Sequence, residues 1–166
     1  MEREPSGFGA ARWGEPVSGY RWLVATGCYV GPVLPASVEA EEKPFFPELP
    51  VKDVRCYRLR RGRQQIAGVA LEKLVYLAWQ GRFFAVRGAF VFGANLKPIQ
   101  EAFISRFGRP DTPQADPTGL LKQNPEALIW SGRSVWMGLR NNPAGYPEFF
   151  MFFSPILKLM NSRVPR

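Results

Sequence analysis

The stretch VYLAWQGRFFAVRGAFVF, residues 75–92, decides the fold prediction for this chain. It holds two runs rich in valine and aromatic residues on either side of Gln80-Gly81. Such residues favour extended backbone, and glycine tolerates the positive φ that a two-residue hairpin turn requires. The stretch therefore predicts an antiparallel β-hairpin.

An amphipathic helix is predicted immediately after this hairpin, at about residues 95–107. Asn95 is a suitable N-cap, and apolar residues then recur at spacings of three, four and four. Gly108, followed by Pro110, is a typical stop. The apolar stripe consists of Leu96, Ile99, Phe103 and Phe107. We expect this stripe to pack on one face of a sheet.

The remaining periodic segments predict further strands on both sides of this helix. Ile66–Leu71 is predicted as a short return segment after a turn at residues 60–63, and a short helix is predicted at residues 156–161. The other predicted strands are Val54–Leu59, Leu128–Trp130, Val135–Leu139 and Glu148–Phe153. Strands, one helix and more strands, without βαβ alternation, predict the α+β class. We expect an antiparallel sheet of about five to six strands with one main helix on one face.

The length of 166 residues suits a single domain, residues 1–166. Within it, residues 28–52 are rich in proline and glutamate and show no sustained period. This segment is predicted to be a long surface loop or insertion. A loop of that length either has a function or is a mobile insertion.

The basic charge is concentrated after this loop. The chain carries a net charge of +8, but residues 54–166 alone hold 17 basic against 6 acidic residues, a net +11. The densest run consists of Arg55, Arg58, Arg60, Arg61 and Arg63, with Tyr57 among them. These arginines are candidate contacts for an anion or a nucleic-acid backbone; the alternative is a solvated hairpin tip.

The residues present exclude several kinds of site. The chain has no histidine, which rules out Ser-His-Asp and Cys-His catalysis, and two cysteines cannot form a four-ligand zinc site. No acid pair has glycosidase-like spacing, and no glycine-rich stretch matches a phosphate-binding loop. We therefore expect a protein that is not an enzyme and has no catalytic residue, metal or cofactor. An enzyme that uses carboxylates or a cofactor remains a third possibility.

The two cysteines, Cys28 and Cys56, leave two interpretations. They can form a disulfide that closes a loop of 28 positions, worth about 3 kcal/mol in the chain-entropy model if the compartment is oxidising. Alternatively, they are buried reduced thiols that act as small apolar residues.

Five tryptophans and thirteen phenylalanines either form the core or line a ligand pocket. On the strand at residues 148–153, consecutive aromatic residues point to both faces of the sheet. If that strand is not central, Phe150 and Phe152 would form an exposed patch and a candidate partner surface.

No segment is predicted to span a membrane, because charged residues interrupt the most apolar region, residues 69–92. The first residues lack the basic and apolar regions of a secretory signal. The sequence is therefore interpreted either as cytosolic or as the mature form of an exported protein.

Several short motifs together resemble a group of uncharacterised bacterial proteins that are commonly exported or lipoprotein-like. The motifs are Phe8 with Trp13-Gly14-Glu15-Pro16, Tyr76 with Gly81-Arg82-Phe83-Phe84, Asn95 through Arg106-Phe107-Gly108-Arg109-Pro110, and Trp130 with Val135–Leu139. The resemblance implies a small α+β fold and a location in the periplasm or cell envelope, and no assigned activity. The segment at residues 28–52 departs from the group's pattern.

These observations predict a non-enzymatic domain of the bacterial envelope. It would bind an unknown protein or small ligand through its aromatic sheet or through the segment at residues 28–52. The alternative is a cytosolic nucleic-acid-binding module that uses the basic hairpin at residues 55–63. The oligomeric state is not predicted.

Overall fold

A computed structural model describes residues 1, 3–27, 53–91, 93–111, 127–141 and 145–162. Its helices are α1 (Leu96–Phe107) and α2 (Ser154–Ser162), and a 3-10 turn covers Val17–Gly19. The strands are β1 (Gly7–Phe8), β2 (Ala11–Arg12), β3 (Leu23–Thr26), β4 (Val54–Leu59), β5 (Gln65–Ile66), β6 (Val69–Ala70), β7 (Lys73–Trp79), β8 (Arg82–Ala89), β9 (Leu128–Ser131), β10 (Val135–Asn141) and β11 (Pro147–Phe153). The segment predicted as a loop at residues 28–52 lies outside the described residues.

The predicted hairpin is confirmed and forms part of a large antiparallel sheet. Strands β7 and β8 pair directly, and the turn between them has φ values of 48° at Gln80 and 76° at Gly81. Both values are positive, as a type I′ hairpin turn requires. The sheet has seven strands in the order β3-β4-β7-β8-β11-β10-β9.

The α+β class and the antiparallel sheet are confirmed, but the predicted count of five to six strands is too low. Strand β3 forms the edge next to β4, and its four residues are too few to show a clear alternation. The predicted return segment at residues 66–71 does not join the main sheet. Its residues Ala67 and Gly68 both have positive φ, so the chain turns there and β5 pairs with β6 as a separate hairpin.

Helix α1 occupies one face of the sheet, as predicted. The Asn95 side chain accepts a hydrogen bond from the Lys97 backbone nitrogen at 3.0 Å, and Gly108 ends the helix with φ of 86°. Ile99, Phe103 and Phe107 are buried. The Phe103 ring lies 5.7 to 6.2 Å from the rings of its neighbours Trp130, Phe149 and Phe90.

Helix α2 covers the other face; it confirms the short helix predicted at residues 156–161 and is slightly longer. Its residues Ile156 and Met160 are buried in a cluster with Phe150 and Phe152. Both phenylalanines are only 1% exposed, because β11 lies between β8 and β10 and both of its faces are covered. The predicted partner surface at Phe150 and Phe152 is therefore wrong for this structure.

Two glycines on the neighbouring strands leave space for two aromatic rings of β11. A Cβ atom at Gly88 would lie 2.3 Å from the Phe149 ring, and one at Gly138 would lie 1.9 Å from the Phe150 ring. Each ring therefore occupies the space above a glycine on its own face of the sheet. Strand β11 is consequently packed tightly on both sides.

The chain order divides the sheet into two similar halves. Strands β4, β7 and β8 are followed by α1, and strands β9, β10 and β11 are followed by α2. The halves meet where β8 pairs with β11. The two helices contribute to different buried clusters on opposite faces, so each half supplies the cover for one face.

Candidate anion-binding groove

A surface groove of about 850 Å³ lies beside the turn between β7 and β8. Three parts of the chain form it: the segment from Pro16 to Leu23, strand β4 with the residue that follows it, and the turn residues 80–82. An isolated bridge between Pro16 and Arg82, and a hydrogen bond from the Val17 nitrogen to the Gly81 oxygen, join two of these parts. The groove is therefore held by backbone contacts between segments that are distant in sequence.

The charge of this groove is one-sided. Its lining includes Arg21, Arg55, Arg60 and Arg82, together with Tyr20 and Tyr57. None of the described residues that line it is acidic. Arginine presents a planar set of donors that matches carboxylate and phosphate groups. We refer to this feature as the arginine groove.

Tyr20 is fixed in position at the wall of the groove. Its hydroxyl donates to a carboxylate oxygen of Glu15 at 2.5 Å and accepts from the Arg12 backbone nitrogen at 2.9 Å. Desolvation, with the hydrogen bond to Glu15, raises the pKa of Tyr20 above its ordinary value. The Tyr20 ring lies 5.2 Å from the ring of Trp22. The hydroxyl of this groove residue is thus engaged by the protein itself.

The predicted cluster of five arginines does not act as one unit. Arg55 and Arg60 line the groove, whereas Arg58, Arg61 and Arg63 are exposed outside its lining. Strand β4 alternates, so Arg55 and Tyr57 lie on one face and Cys56 and Arg58 on the other. The predicted basic hairpin is also corrected, because β4 pairs with β3 and β7 rather than with the segment that follows it.

Sequence reasoning missed the other two arginines of the groove. Arg82 follows the confirmed Gln80-Gly81 turn, and Arg21 lies just before β3. The only local signal was the position of Arg82 at the end of a hairpin turn, where a side chain is accessible. The approach of Arg21 depends on the path of residues 16–23, which the sequence pattern does not reveal.

Cys56 lies on the opposite side of β4 from the groove. It is 2% exposed and disulfide-bonded. The interpretation as a reduced thiol is therefore wrong for Cys56. The chain contains one other cysteine, Cys28, which lies outside the described residues, so its pairing with Cys56 stays a prediction. A disulfide is typical of an oxidising compartment.

A second charged cluster lies on the sheet face that α2 covers. Glu148 on β11 is completely buried and lies between Arg87 on β8 and Arg140 on β10. Arg87 donates to one carboxylate oxygen at 2.8 and 3.3 Å, and Arg140 approaches the other at 2.5 and 2.6 Å. Both oxygens of the carboxylate are therefore bonded, which is the arrangement that makes a buried charge tolerable.

Other features bear on chemistry and location. Trp79, Trp130 and Trp136 belong to the core, whereas Trp13 and Trp22 are half-buried. Within the described residues, no group of three or more Cys, Asp or Glu side chains has a metal-binding arrangement. No described helix has the length and apolar character needed to cross a membrane.

The chain was compared with known families, curated proteins and solved structures. No known protein family matches it, and neither a curated protein nor a solved structure does.

Proposed function

We propose that this chain is a non-enzymatic binding domain whose ligand is an anion held in the arginine groove. The observation that carries the proposal is the meeting of four arginines from three separate segments in a lining whose described residues include no acid. Bringing like charges together costs free energy, and an anionic ligand offsets that cost. The sequence analysis expected binding through the aromatic sheet or through the segment at residues 28–52, whereas this proposal assigns binding to the groove.

An oxidising location such as the bacterial periplasm or envelope fits this proposal. The disulfide at Cys56 supports it, and so does the resemblance to exported bacterial proteins. In such a compartment the ligand is expected to be an anionic small molecule, polymer or protein segment.

A second candidate function is the binding of single-stranded nucleic acid. The presence of Tyr20 and Tyr57 in the lining of the groove favours it, because bases stack on aromatic side chains between contacts to phosphate. The two candidates share the arginines and differ in whether the ligand needs bases. An experiment can therefore separate them at the same site.

The test compares two double variants that remove the same charge from neighbouring positions. Arg55→Ala/Arg60→Ala takes two guanidinium groups out of the groove, whereas Arg61→Ala/Arg63→Ala takes two from outside its lining. The probe is a fluorescein-labelled oligothymidylate, followed by fluorescence anisotropy at several salt concentrations. A charged hydrogen bond contributes about 1.5–3 kcal/mol, so we expect the groove variant to bind about tenfold more weakly or worse.

The control variant should bind nearly as well as the original protein. In the groove variant, the slope of affinity against salt concentration should also decrease by about one phosphate contact for each arginine removed. Equal weakening in both variants would show that general charge attracts the probe, and absence of binding at low salt would refute the proposal. An abasic oligomer of the same length then separates the two candidates, because only base stacking distinguishes it from oligothymidylate.

A further inference from the structure

The turn between β9 and β10 holds a carboxylate with its backbone. The nitrogen of Arg133 donates to Glu4 Oε2 at 2.7 Å, and the nitrogen of Ser134 donates to Glu4 Oε1 at 2.6 Å. The Gly132 nitrogen is used inside the turn, where it donates to the Val135 oxygen at 2.8 Å. Two consecutive backbone N–H groups thus point outward and grip both oxygens of one anion, as in an anion-binding nest.

Gly132 leaves the space that this carboxylate occupies. A Cβ atom at Gly132 would lie 2.7 Å from Glu4 Oε2 and 2.8 Å from Glu4 Cδ. Any side chain at this position would therefore push the carboxylate away from the two donors. The turn thus combines paired donors with the clearance that an anion needs.

A cavity of about 630 Å³ adjoins the bound carboxylate. Trp13 and Phe153 line it, with their ring centroids 6.3 Å apart and nearly parallel, and so do Arg133 and Ser134. The Trp13 ring is also held 4.5 Å from Phe83. The cavity thus has one firm aromatic wall and one basic residue, next to a point where a carboxylate binds.

We propose that the Gly132–Ser134 turn and this cavity form a binding site for the carboxylate of a peptide, and that Glu4 fills the anion position in the free protein. Backbone donors are a known means of capturing a peptide's terminal carboxylate. The aromatic wall suits an apolar residue beside that carboxylate. The site shares no lining residue with the arginine groove, so this proposal does not depend on the proposed function.

Glu4 is an internal competitor because it is tethered beside the site. The oxygen of Pro5, the next residue, accepts a hydrogen bond from Trp13 Nε1 at 2.8 Å. Tethering gives Glu4 an effective concentration on the order of millimolar. A peptide carboxylate therefore has to gain affinity from the cavity to displace it, and removing the Glu4 carboxylate should make the site easier to fill.

The test follows the backbone amide protons of Arg133 and Ser134 by NMR in Glu4→Ala and Glu4→Gln. The probe is an acetylated tripeptide that ends in phenylalanine with a free carboxylate, and the matched probe is the same peptide as its C-terminal amide. In E4A both amide protons should move upfield, and the free-carboxylate peptide should move them back. Loss of one charged contact corresponds to about a tenfold difference, so the amide should bind at least that much more weakly.

Matched controls make the result decisive. Glu101→Ala removes an exposed glutamate from α1 and should leave the Arg133 and Ser134 amide signals as they are in the original protein. E4Q keeps the shape of the side chain and serves if E4A is poorly folded. A peptide with a glutamate side chain and an amidated end shows whether a side-chain carboxylate is accepted as well as a terminal one. Unmoved Arg133 and Ser134 signals in both Glu4 variants, or equal binding of the amide, would overturn the proposal.

Discussion

Two groups of arginines in this protein differ in whether a carboxylate lies among them. In the arginine groove, Arg21, Arg55, Arg60 and Arg82 meet without an acid among the described lining residues. On the face covered by α2, Arg87 and Arg140 share the completely buried Glu148. Both groups consist of arginines. The described lining of the groove contains no acidic residue, whereas Glu148 neutralises much of the charge of Arg87 and Arg140.

Under the proposed function, the difference separates arginines that neutralise a buried carboxylate from arginines that a ligand would contact. A buried carboxylate is costly unless both of its oxygens are paired, so Glu148 and its two arginines depend on one another. Among the described residues, the groove arginines neutralise no buried carboxylate, although Arg82 donates to the Gly14 oxygen at 3.4 Å. Their removal is therefore not expected to leave a buried charge unpaired. Stability measurements should therefore respond to one group, and ligand affinity to the other.

The largest effect is expected from Glu148→Gln. The substitution removes the charge that pairs Arg87 and Arg140, and breaking one side of a buried ion pair typically costs about 3–5 kcal/mol. Urea unfolding should show a free energy of unfolding lowered by that amount, with the denaturant slope unchanged. Glu101→Gln, on the exposed face of α1, should change it by less than about 0.5 kcal/mol. If the two variants behave alike, the contrast between the two arginine groups is lost.

A smaller effect is expected from Gly138→Ala, which tests how rigid the surroundings of Glu148 are. The added methyl group would meet the Phe150 ring at 1.9 Å, and overpacking of a filled core costs about 1–3 kcal/mol. Gly19→Ala is the matched control, because nothing lies within 4 Å of a Cβ atom there. Equal stability of the two variants would indicate that β11 can shift, which would weaken the case for a rigid triad.

Local signals accounted for the parts of the fold that the sequence predicted correctly. Helix α1 was predicted through Asn95, the apolar spacing and Gly108, all within fourteen residues. The β7–β8 hairpin was predicted from Gln80-Gly81. Strand β3 was missed because it is short and its partner β4 lies beyond the segment at residues 28–52. The short helix at residues 156–161 was also predicted, but its packing on the second face of the sheet, like that of Phe150 on Gly138, depends on contacts between distant segments.

The candidate site was half predictable for the same reason. Arg55 and Arg60 belong to a visible charge run, but only the alternation of β4 and its pairing separate them from Arg58. Arg82 joins them through the bridge to Pro16, which no local pattern reveals. Glu148 likewise looked isolated among the acids, because its partners become neighbours only once β11 lies between β8 and β10.

Tyr76 is a second buried polar residue, and its hydrogen bonding contrasts with that of Glu148. It is completely buried, and its hydroxyl makes no hydrogen bond with the described residues. Desolvation raises the pKa of Tyr76 above its ordinary value of 10.0. The folded state therefore favours the neutral phenol, so this contribution to stability is complete below about pH 10 and falls as the pH rises further.

Tyr76→Phe should accordingly be neutral or stabilising by about 1 kcal/mol at pH 7, since it removes a buried hydroxyl that has no hydrogen-bond partner among the described residues. It should also flatten the loss of stability above pH 10, measured by urea unfolding across the alkaline range. Tyr57→Phe, which alters a half-buried tyrosine of the groove, is the control. A clear destabilisation by Y76F would mean that the hydroxyl has a partner that matters to the fold.

The smallest effect is expected from the groove itself, and its sign is informative. Arg55→Ala/Arg60→Ala removes two of four like charges and should change the free energy of unfolding by less than about 0.5 kcal/mol. The change should be stabilising at low salt, because the remaining arginines repel one another less, and should shrink as salt screens that repulsion. A marked destabilisation would show that these arginines, like Arg87 and Arg140, are part of the fold. Unchanged stability together with weakened binding of the oligothymidylate would instead place them at the ligand, because a side chain that the fold does not need can then be assigned to recognition.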